Sequence, residues 1–373
     1  MSSTPSDTTH PHQRWMTEAL ALAEQSIALS EPNPRVGCVI VAADGVVIGR
    51  GHTQQAGGPH AEVMALRNAA DHGHSVRGAT VVVTLEPCAH HGRTPPCCDA
   101  LVQAGVGHVV MAIEDPNPLV AGQGAARLRA AGIAVDVGVG AEAARELNIG
   151  FFSRMERGRP WVRLKVAASL DGRTALPNGV SQWITGEAAR TDGHAWRRRA
   201  SAVLTGVGTV REDNPRLDVR LVPTPRQPMR VVVDSRLDAP LAARIFDAPA
   251  SVLVYAANPD AQRLAAYADR GIEVAQLAGP DHKVDLAAML VDLAARGVNE
   301  LHVEAGHRLN GSFVRERLVD EYLIYLAPKL LGAGRELAAF GPLSDLADAV
   351  SLRFHQLNRL GDDLRVLARP VVA

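Results

Sequence analysis

Three residues constrain this chain more than any others: His60, Cys88 and Cys97. Each stands where one element gives way to the next. His60 opens a helical stretch over 60–70. Cys88 follows Pro87 directly after the apolar run ATVVVTL (79–85), which predicts a buried strand. Cys97 follows Pro95-Pro96 and opens a helix over 97–104. A helix N-terminus lowers a cysteine pKa and favours the thiolate that zinc binds. One imidazole and two thiolates make the three-ligand set of a zinc with an open fourth position. The fold must therefore bring two helix starts together beside the end of a strand.

The flanking pattern predicts such a fold. Residues 13–30 carry Met16, Leu20, Ala23 and Ile27 at helical spacing, and Pro32 and Pro34 end that element. VGCVIV (36–41) and VVIGR (46–50) flank AADG, a hairpin signature. HVVMAI (108–113) and IAVDVGV (133–139) read as strands, with helices over 122–131 and 141–157. Strands alternating with helices imply an α/β fold in layers around a mixed sheet. At 373 residues the chain exceeds one ordinary domain, and its 47% hydrophobic content fills two cores. A boundary is expected near 158, ahead of the strand WVRLKVAAS (161–169), giving a disordered tail over 1–12 and domains over 13–158 and 159–373. The second half alternates again. Strands are predicted near 202–206, 230–234, 251–255, 272–275, 300–303 and 320–326, and helices near 186–199, 260–270, 284–296 and 307–317.

Composition excludes several classes. The formal net charge of −1 offers no basic field for nucleic acid. The strongest cationic cluster, Trp196-Arg197-Arg198-Arg199, is either a solvated helix face or a site for one phosphate. Four cysteines, three of them clustered near histidines, suit metal binding or catalysis in a reducing compartment rather than a disulfide scaffold. The polar opening MSSTPSDTTHPH has no Lys or Arg and no apolar stretch after it, so it is not a secretory signal. No apolar run approaches the ~20 residues that span a bilayer. A soluble cytoplasmic protein without membrane or nucleic-acid partners is expected.

Glu62 sharpens the metal reading. A structural zinc has no use for a carboxylate two residues from a ligand. Positions i and i+2 of a helix face one ion only if the ion lies off the helix end. Glu62 then reaches the water on the metal and shuttles its proton, in the H-x-E…P-C arrangement of zinc nucleobase deaminases. The alternative is a closed structural site with His90, His91 or Cys98 as a fourth ligand. Cys38, inside VGCVIV, reads as a core residue.

Asn33-Pro34-x-Val36-Gly37, His60-Ala61-Glu62, the run Leu85-Glu86-Pro87-Cys88-x-His90-x-Gly92-Arg93-Thr94-Pro95-Pro96-Cys97 and Asp115-Pro116-Asn117-Pro118 resemble the deaminase half of the bifunctional riboflavin-biosynthesis deaminase/reductases. That resemblance implies a cytidine-deaminase-like three-layer α/β/α domain. Its substrate would be a small molecule, a diaminopyrimidinone bearing a phosphoribosylamino group, from which the ring amino group is removed hydrolytically. Zn2+ would sit on His60, Cys88 and Cys97, with Glu62 as acid and base. Asn33, His52, His90 and Arg93 would contact substrate. Arg93 and the histidines are sensible partners for its phosphate, while His91 is read as a surface residue.

The second half shows no Walker A motif, and Gly138-x-Gly140-x-x-Ala143 is a chance match outside any βαβ unit. More useful are Leu204-Thr205-Gly206-Val207-Gly208-Thr209-Val210 and Val303-Glu304-Ala305-Gly306, both strand-to-helix turns able to hold a pyrophosphate. With Lys165-x-x-x-Ser169-Leu170-Asp171-Gly172-Arg173 and Ser181-x-Trp183-Ile184-Thr185, they resemble the same family's reductase domain. Its fold is similar to dihydrofolate reductase and it uses NADPH. The resemblance implies cofactor contacts at Ala167, Trp183, Thr209, Asp213, Ser235 and the turn Gly306, His307, Arg308, Leu309, Asn310, Gly311, Ser312. It implies substrate contacts at Ser181, Arg197, Leu217, Arg220 and Glu304, with the two arginines on the phosphate. Lys165, Asp171 and Asp213 are candidate proton handlers, or equally members of core salt bridges. Hydride would reduce the opened ribose to a ribityl chain.

Two other classes stay open on the residues alone. One is a nucleoside or tRNA deaminase with an unrelated second domain, which steeply salt-dependent tRNA binding would reveal. The other is a zinc-stabilised scaffold, which Glu62→Ala would leave unaffected. Family resemblance also implies a homo-oligomer.

Overall fold

The computed structural model describes residues 10–89, 95–118, 120–247 and 251–371. The expected tail therefore falls mostly outside the described residues. The chain divides into two compact units between Arg157 and Gly158. No helix among the described residues is long and apolar enough to cross a membrane.

The first unit runs α1 (Gln13–Glu24), β1 (Gly37–Val41), β2 (Val47–His52), α2 (Ala61–Asp71), β3 (Thr80–Val83), α3 (Cys97–Ala104), β4 (His108–Met111), α4 (Gln123–Ala130), β5 (Ala134–Val137), α5 (Ala141–Leu147) and α6 (Ile149–Arg157). Its five strands lie in the order β2-β1-β3-β4-β5. The β1–β2 and β1–β3 pairs are antiparallel, and β3, β4 and β5 are parallel. Alternate residues face opposite sides, as pleating requires. Cys38, Ile40, Val81, Val83, Val109 and Met111 pack with Ala61, Ala65, Leu101 and Leu128 of α2, α3 and α4. Val39, Val41, Val82 and Val110 pack with Met16, Ala19 and Ala144 of α1 and α5. The result is the expected three-layer α/β/α sandwich on a mixed sheet.

Two predicted helices differ. The helix expected over 13–30 stops at Glu24. Ser26 Oγ donates to Thr53 O (2.9 Å), Ser30 Oγ donates to Asn33 O (3.1 Å), and Ala28 takes a φ of 64°. Serine side chains here offer bonding that competes with the helix ladder. The helix expected over 141–157 breaks at Asn148, whose side chain accepts from Arg35 N (2.7 Å) and donates to Arg35 O (2.9 Å).

The second unit contains β6 (Trp161–Ser169), α7 (Glu187–Arg199), β7 (Ala202–Gly206), α8 (Val207–Asp213), β8 (Met229–Val233), β9 (Val252–Ala256), α9 (Ala261–Asp269), β10 (Glu273–Gln276), α10 (Leu286–Ala295), β11 (Glu300–Val303), α11 (His307–Arg315), β12 (Glu321–Ala327), β13 (Leu352–Leu360) and β14 (Asp363–Pro370). One nine-stranded sheet has the order β10-β9-β8-β7-β11-β6-β12-β14-β13. It is parallel from β10 to β12, and β14 and β13 add an antiparallel hairpin. That hairpin lies outside the expected strands, and α8 is the short helix to which the turn after β7 leads. One face packs on α10 and α11 through Met289, Leu290, Leu293 and Phe313, and part of the other packs on α9 through Tyr267. A buried charge cluster ties the central strands together. Arg163 of β6 bonds Glu300 of β11 (2.8 Å) and Glu321 of β12 (2.5 Å).

Candidate active sites

In the first unit the three predicted ligands converge. His60 Nδ1 lies 3.6 Å from Cys88 Sγ and 3.3 Å from Cys97 Sγ, and all three ligand atoms fall within 4.8 Å of one another. Zinc bonds of ~2.0–2.3 Å at tetrahedral angles put such donors ~3.5 Å apart, so the triangle fits the ion. His60 caps α2 in extended geometry and Cys97 opens α3. The Cys97 backbone N–H donates to Cys88 Sγ (3.3 Å). The hydrogen bond from the Cys97 thiol, together with those from His60 and this N–H, holds Cys88 well below the usual thiol range. Glu62, in the first turn of α2, is 3% exposed. Burial first, and then the Cys88 charge, pushes its carboxyl up to about 7.

A cavity of about 450 Å³ opens at this point, lined by His60, Glu62 and Cys88 together with Asn33, Thr53, Asp115, Asn117 and Arg154. Its wall is pinned by Glu86, a buried residue of the LEPC run. That carboxylate accepts from the backbone N–H groups of Asp115 (3.1 Å), Gly122 (2.9 Å) and Ala125 (3.0 Å). The start of α2 is set by a close approach to β2: a Cβ on Gly51 would meet Ala61 O at 2.3 Å and Ala65 N at 2.4 Å. Gly51→Ala is expected to push α2 outward, destabilising by about 1–3 kcal/mol and weakening zinc retention. Urea denaturation with metal analysis checks both.

In the second unit, β8, β7, β11 and β6 are consecutive neighbours in the parallel region. Open parallel sheets bind ligands beyond the carboxyl ends of their strands. Ser235, Thr209, Gly306 and Ala167 all stand at those ends. The two glycine turns meet: Thr209 Oγ1 lies 3.6 Å from the position of a Cβ on Gly306, and Leu309 packs 3.1 Å from that on Gly206. Gly306 caps α11 without a side-chain bond, and the first turn holds no acid. Its N–H groups fit a pyrophosphate. Beside this turn, Glu304 is largely but not fully buried, its side chain 11% exposed. Arg197 binds both its oxygens, Lys165 Nζ lies 3.4 Å away, and His302 Nε2 lies 3.3 Å away. Arg197 also donates to Asp218 O (2.9 Å), and Arg220 to Asp218 Oδ1 (2.7 Å).

Residues 9–113 match the cytidine and deoxycytidylate deaminase zinc-binding region, and residues 160–366 match the RibD C-terminal domain. The riboflavin biosynthesis protein RibD of Escherichia coli is 44% identical over 365 residues, covering 94% of this chain and 97% of that protein. Its Aquifex aeolicus counterpart is 42% identical, covering 94% and 96%. The chain belongs to the RibD family. Among solved structures, Acinetobacter baumannii RibD superposes with a TM-score of 0.87 at 42% identity, covering 96% of this chain and 99% of that one. A Thermotoga maritima diaminohydroxyphosphoribosylaminopyrimidine deaminase/5-amino-6-(5-phosphoribosylamino)uracil reductase gives 0.86 at 34% identity, covering 96% and 99%. RibD proteins pair a zinc-binding deaminase domain with an NADPH-dependent reductase domain in riboflavin biosynthesis, and this chain carries both.

The remaining expected residues fall as follows. Asn33 lines the deaminase cavity, whereas His52 is not among its lining residues. His52 Nδ1 lies 3.4 Å from Ser26 Oγ. His90, His91 and Arg93 lie outside the described residues. Cys98 is no ligand: its thiol donates to Pro87 O (3.1 Å) and Gly124 O (3.6 Å). In the reductase half, Leu217 is buried at a φ of 51° beside Asp218. Ser181 and Trp183 precede α7, with Trp183 61% exposed under the Arg190 guanidinium (4.7 Å). Asn310 donates to Leu337 O (3.0 Å), and Gly311 abuts Ala339, so these two pack against 337–339. His307 opens α11, with Arg308 next, and Ser312 Oγ bonds Arg308 O (3.4 Å). Asp171 accepts from Ser169 Oγ (2.5 Å), Leu331 N (3.1 Å) and Gly332 N (2.7 Å), which hold its carboxyl down to about 2. Burial pushes Asp213 up.

Sequence reasoning missed Thr53 and Arg154 as cavity residues. Asp115 and Asn117 stand in the Asp-Pro-Asn-Pro motif, which by itself assigns them no role. Arg154 carried no local signal, because only the packing of α6 beside Asn33 and Pro32 brings it to the cavity.

Proposed function

We propose that the chain performs two consecutive steps. It deaminates 2,5-diamino-6-(5-phosphoribosylamino)pyrimidin-4-one hydrolytically to 5-amino-6-(5-phosphoribosylamino)uracil, then reduces the ribosyl group to a ribityl chain. The observation that carries this reading is the buried Glu62 carboxyl, which lines one cavity with His60 and Cys88 of the His60–Cys88–Cys97 triangle. Bound zinc supplies the Lewis acidity that makes water nucleophilic at neutral pH. Glu62 takes the proton from water and delivers it to the departing ammonia. Asn33, Asp115 and Asn117 hold the ring by hydrogen bonds.

Arg154, which lines the cavity, joins Arg93 and His90 as a partner for the substrate phosphate, and His52, off the cavity wall, drops out of that role. Arg154→Ala is expected to raise KM for the phosphorylated substrate by about 10–100-fold, the worth of a charged hydrogen bond. It should spare the dephosphorylated analogue, and steady-state kinetics on the pair checks this.

NADPH supplies the hydride of the second step. The N-terminus of α11 and Thr209 would hold its phosphates, and Ser235, Ala167, Trp183 and Asp213 would contact the rest of it. Glu304, Arg197, Arg220, Leu217 and Ser181 hold the sugar phosphate. Of the proton-handling candidates Lys165 is the choice, because it alone touches Glu304. Self-association is placed on the C-terminal hairpin and the segment before it, where Leu346 (90%), Phe354 (69%) and Leu357 (60%) are exposed. Light scattering on Phe354→Glu tests that contact.

The test of the function is product mass after incubation with the diaminopyrimidinone phosphate, with and without NADPH. Exchange of an amino group for oxygen without NADPH, and two added hydrogens with it, is expected. No change in either tube overturns the reading, and deamination alone in both overturns its second half.

A further inference from the structure

Outside the deaminase cavity, one other group among the described residues gathers metal-binding side chains: His12, His108 and Asp136, whose ligand atoms lie within 4.8 Å of one another. They come from three elements. His12 immediately precedes α1, His108 opens β4, and Asp136 lies within β5. β4 and β5 run parallel with His108 opposite Ala134, so Asp136 stands diagonally on the same face as His108.

The geometry suits an ion. His108 Nε2 and Asp136 Oδ2 are 3.0 Å apart. Two donors at ~2.0–2.2 Å from one divalent metal sit ~3.0–3.4 Å apart, so this pair already spans a coordination edge. The His12 ring is held over them. It stacks on Trp15 with centroids 5.4 Å apart and meets His108 edge-on at 5.3 Å. Its Nδ1 is shielded from solvent and has no hydrogen-bond partner. Burying a polar nitrogen unpaired is unfavourable, and such groups call for a ligand. His10 lies next to this ring at 5.4 Å between centroids, and its Nδ1 accepts from the His12 backbone N–H (3.3 Å).

We propose that His12, His108 and Asp136 form a second divalent-metal site, distinct from the cysteine-containing centre. Two imidazoles and a carboxylate select zinc, cobalt or nickel over magnesium or calcium. The site lies on the surface and lines no described cavity, so its ion is structural. It clips the start of α1 to two sheet strands distant in sequence. An ion bound only by the folded chain stabilises it by mass action.

The experiment is equilibrium dialysis of the full-length protein against micromolar Zn2+, with metal counted by mass spectrometry. The wild type is expected to hold two equivalents, and Asp136→Asn and His108→Ala one each, with deaminase turnover unchanged. Added Zn2+ should raise the wild-type Tm and leave that of Asp136→Asn in place. A single equivalent in the wild type overturns the site. So does a second equivalent that survives in both variants. Cobalt substitution separates the centres, since only the cysteine site gives sulfur charge-transfer absorption.

Discussion

Replacing Glu62 by glutamine is expected to leave zinc bound and lower the deamination rate by about 10²–10⁴-fold. The amide matches the carboxylate in size, and the position is 3% exposed against the cavity, so the fold has no reason to move. The ligand triangle consists of His60, Cys88 and Cys97 without Glu62, so the metal keeps its donors. What the amide lacks is the ability to accept a proton from water and hand it on. Product mass without NADPH, read beside zinc content, decides the matter. Full turnover in the variant would remove Glu62 from proton transfer. Lost zinc would make it part of the metal's support instead. Reduction of substrate supplied already deaminated should proceed at the wild-type rate.

The second large effect is expected at Glu304. Its carboxylate is bound by Arg197 through both oxygens and lies near Lys165 and His302. Glu304→Ala leaves the largely buried Arg197 without the carboxylate that binds it twice, with only Asp218 nearby as counter-charge. Removing one partner of such a pair costs about 3–5 kcal/mol, and reduction should fall to background while deamination persists. Glu304→Gln keeps the volume and isolates the charge. Burial alone would raise the pKa of Glu304, but Arg197 and Lys165 outweigh it and hold the carboxyl well below its ordinary value. The unfolded chain therefore takes up this proton first as the solution is acidified. The stabilisation is fully present above the ordinary glutamate pKa of ~4.3 and fades as pH falls through the lowered value. Urea midpoints followed from about pH 6 to about pH 3 should thus decline less steeply in Glu304→Gln than in the wild type. Parallel declines would show that Glu304 is no more acidic folded than unfolded.

What could be read from the sequence was set by how local its physics is. The strand WVRLKVAAS (161–169) and β6 coincide residue for residue, because apolar residues alternating with Arg163 and Lys165, with turn signals at both ends, leave one reading. The meeting of His60, Cys88 and Cys97 was legible for a similar reason: cysteine after strand-Pro and histidine at a helix start each carry their own chemistry. Helix ends were less legible. Ser26 and Asn148 end their helices through Thr53 and Arg35, partners that no window of adjacent residues contains. The C-terminal hairpin escaped notice although Leu360-Gly361-Asp362 is a turn signal. Its two strands alternate weakly, since β13 is an edge strand exposed along most of its length. Arg154 was illegible outright: it lies over a hundred residues from the loop whose carbonyl it binds.

Glu86 has a consequence beyond its own loop. One carboxylate, two residues ahead of the ligand Cys88, receives three N–H groups from the segment that forms the far wall of the deaminase cavity. Metal and wall are thereby clamped in one jig. Asp115, Asn117 and Val120 line the cavity from that same pinned segment, and Asp115 Oδ1 accepts from Asn117 N (2.8 Å). The spacing between this wall and the metal-binding strand end is therefore set by one buried acid rather than by the side chains that face the ring.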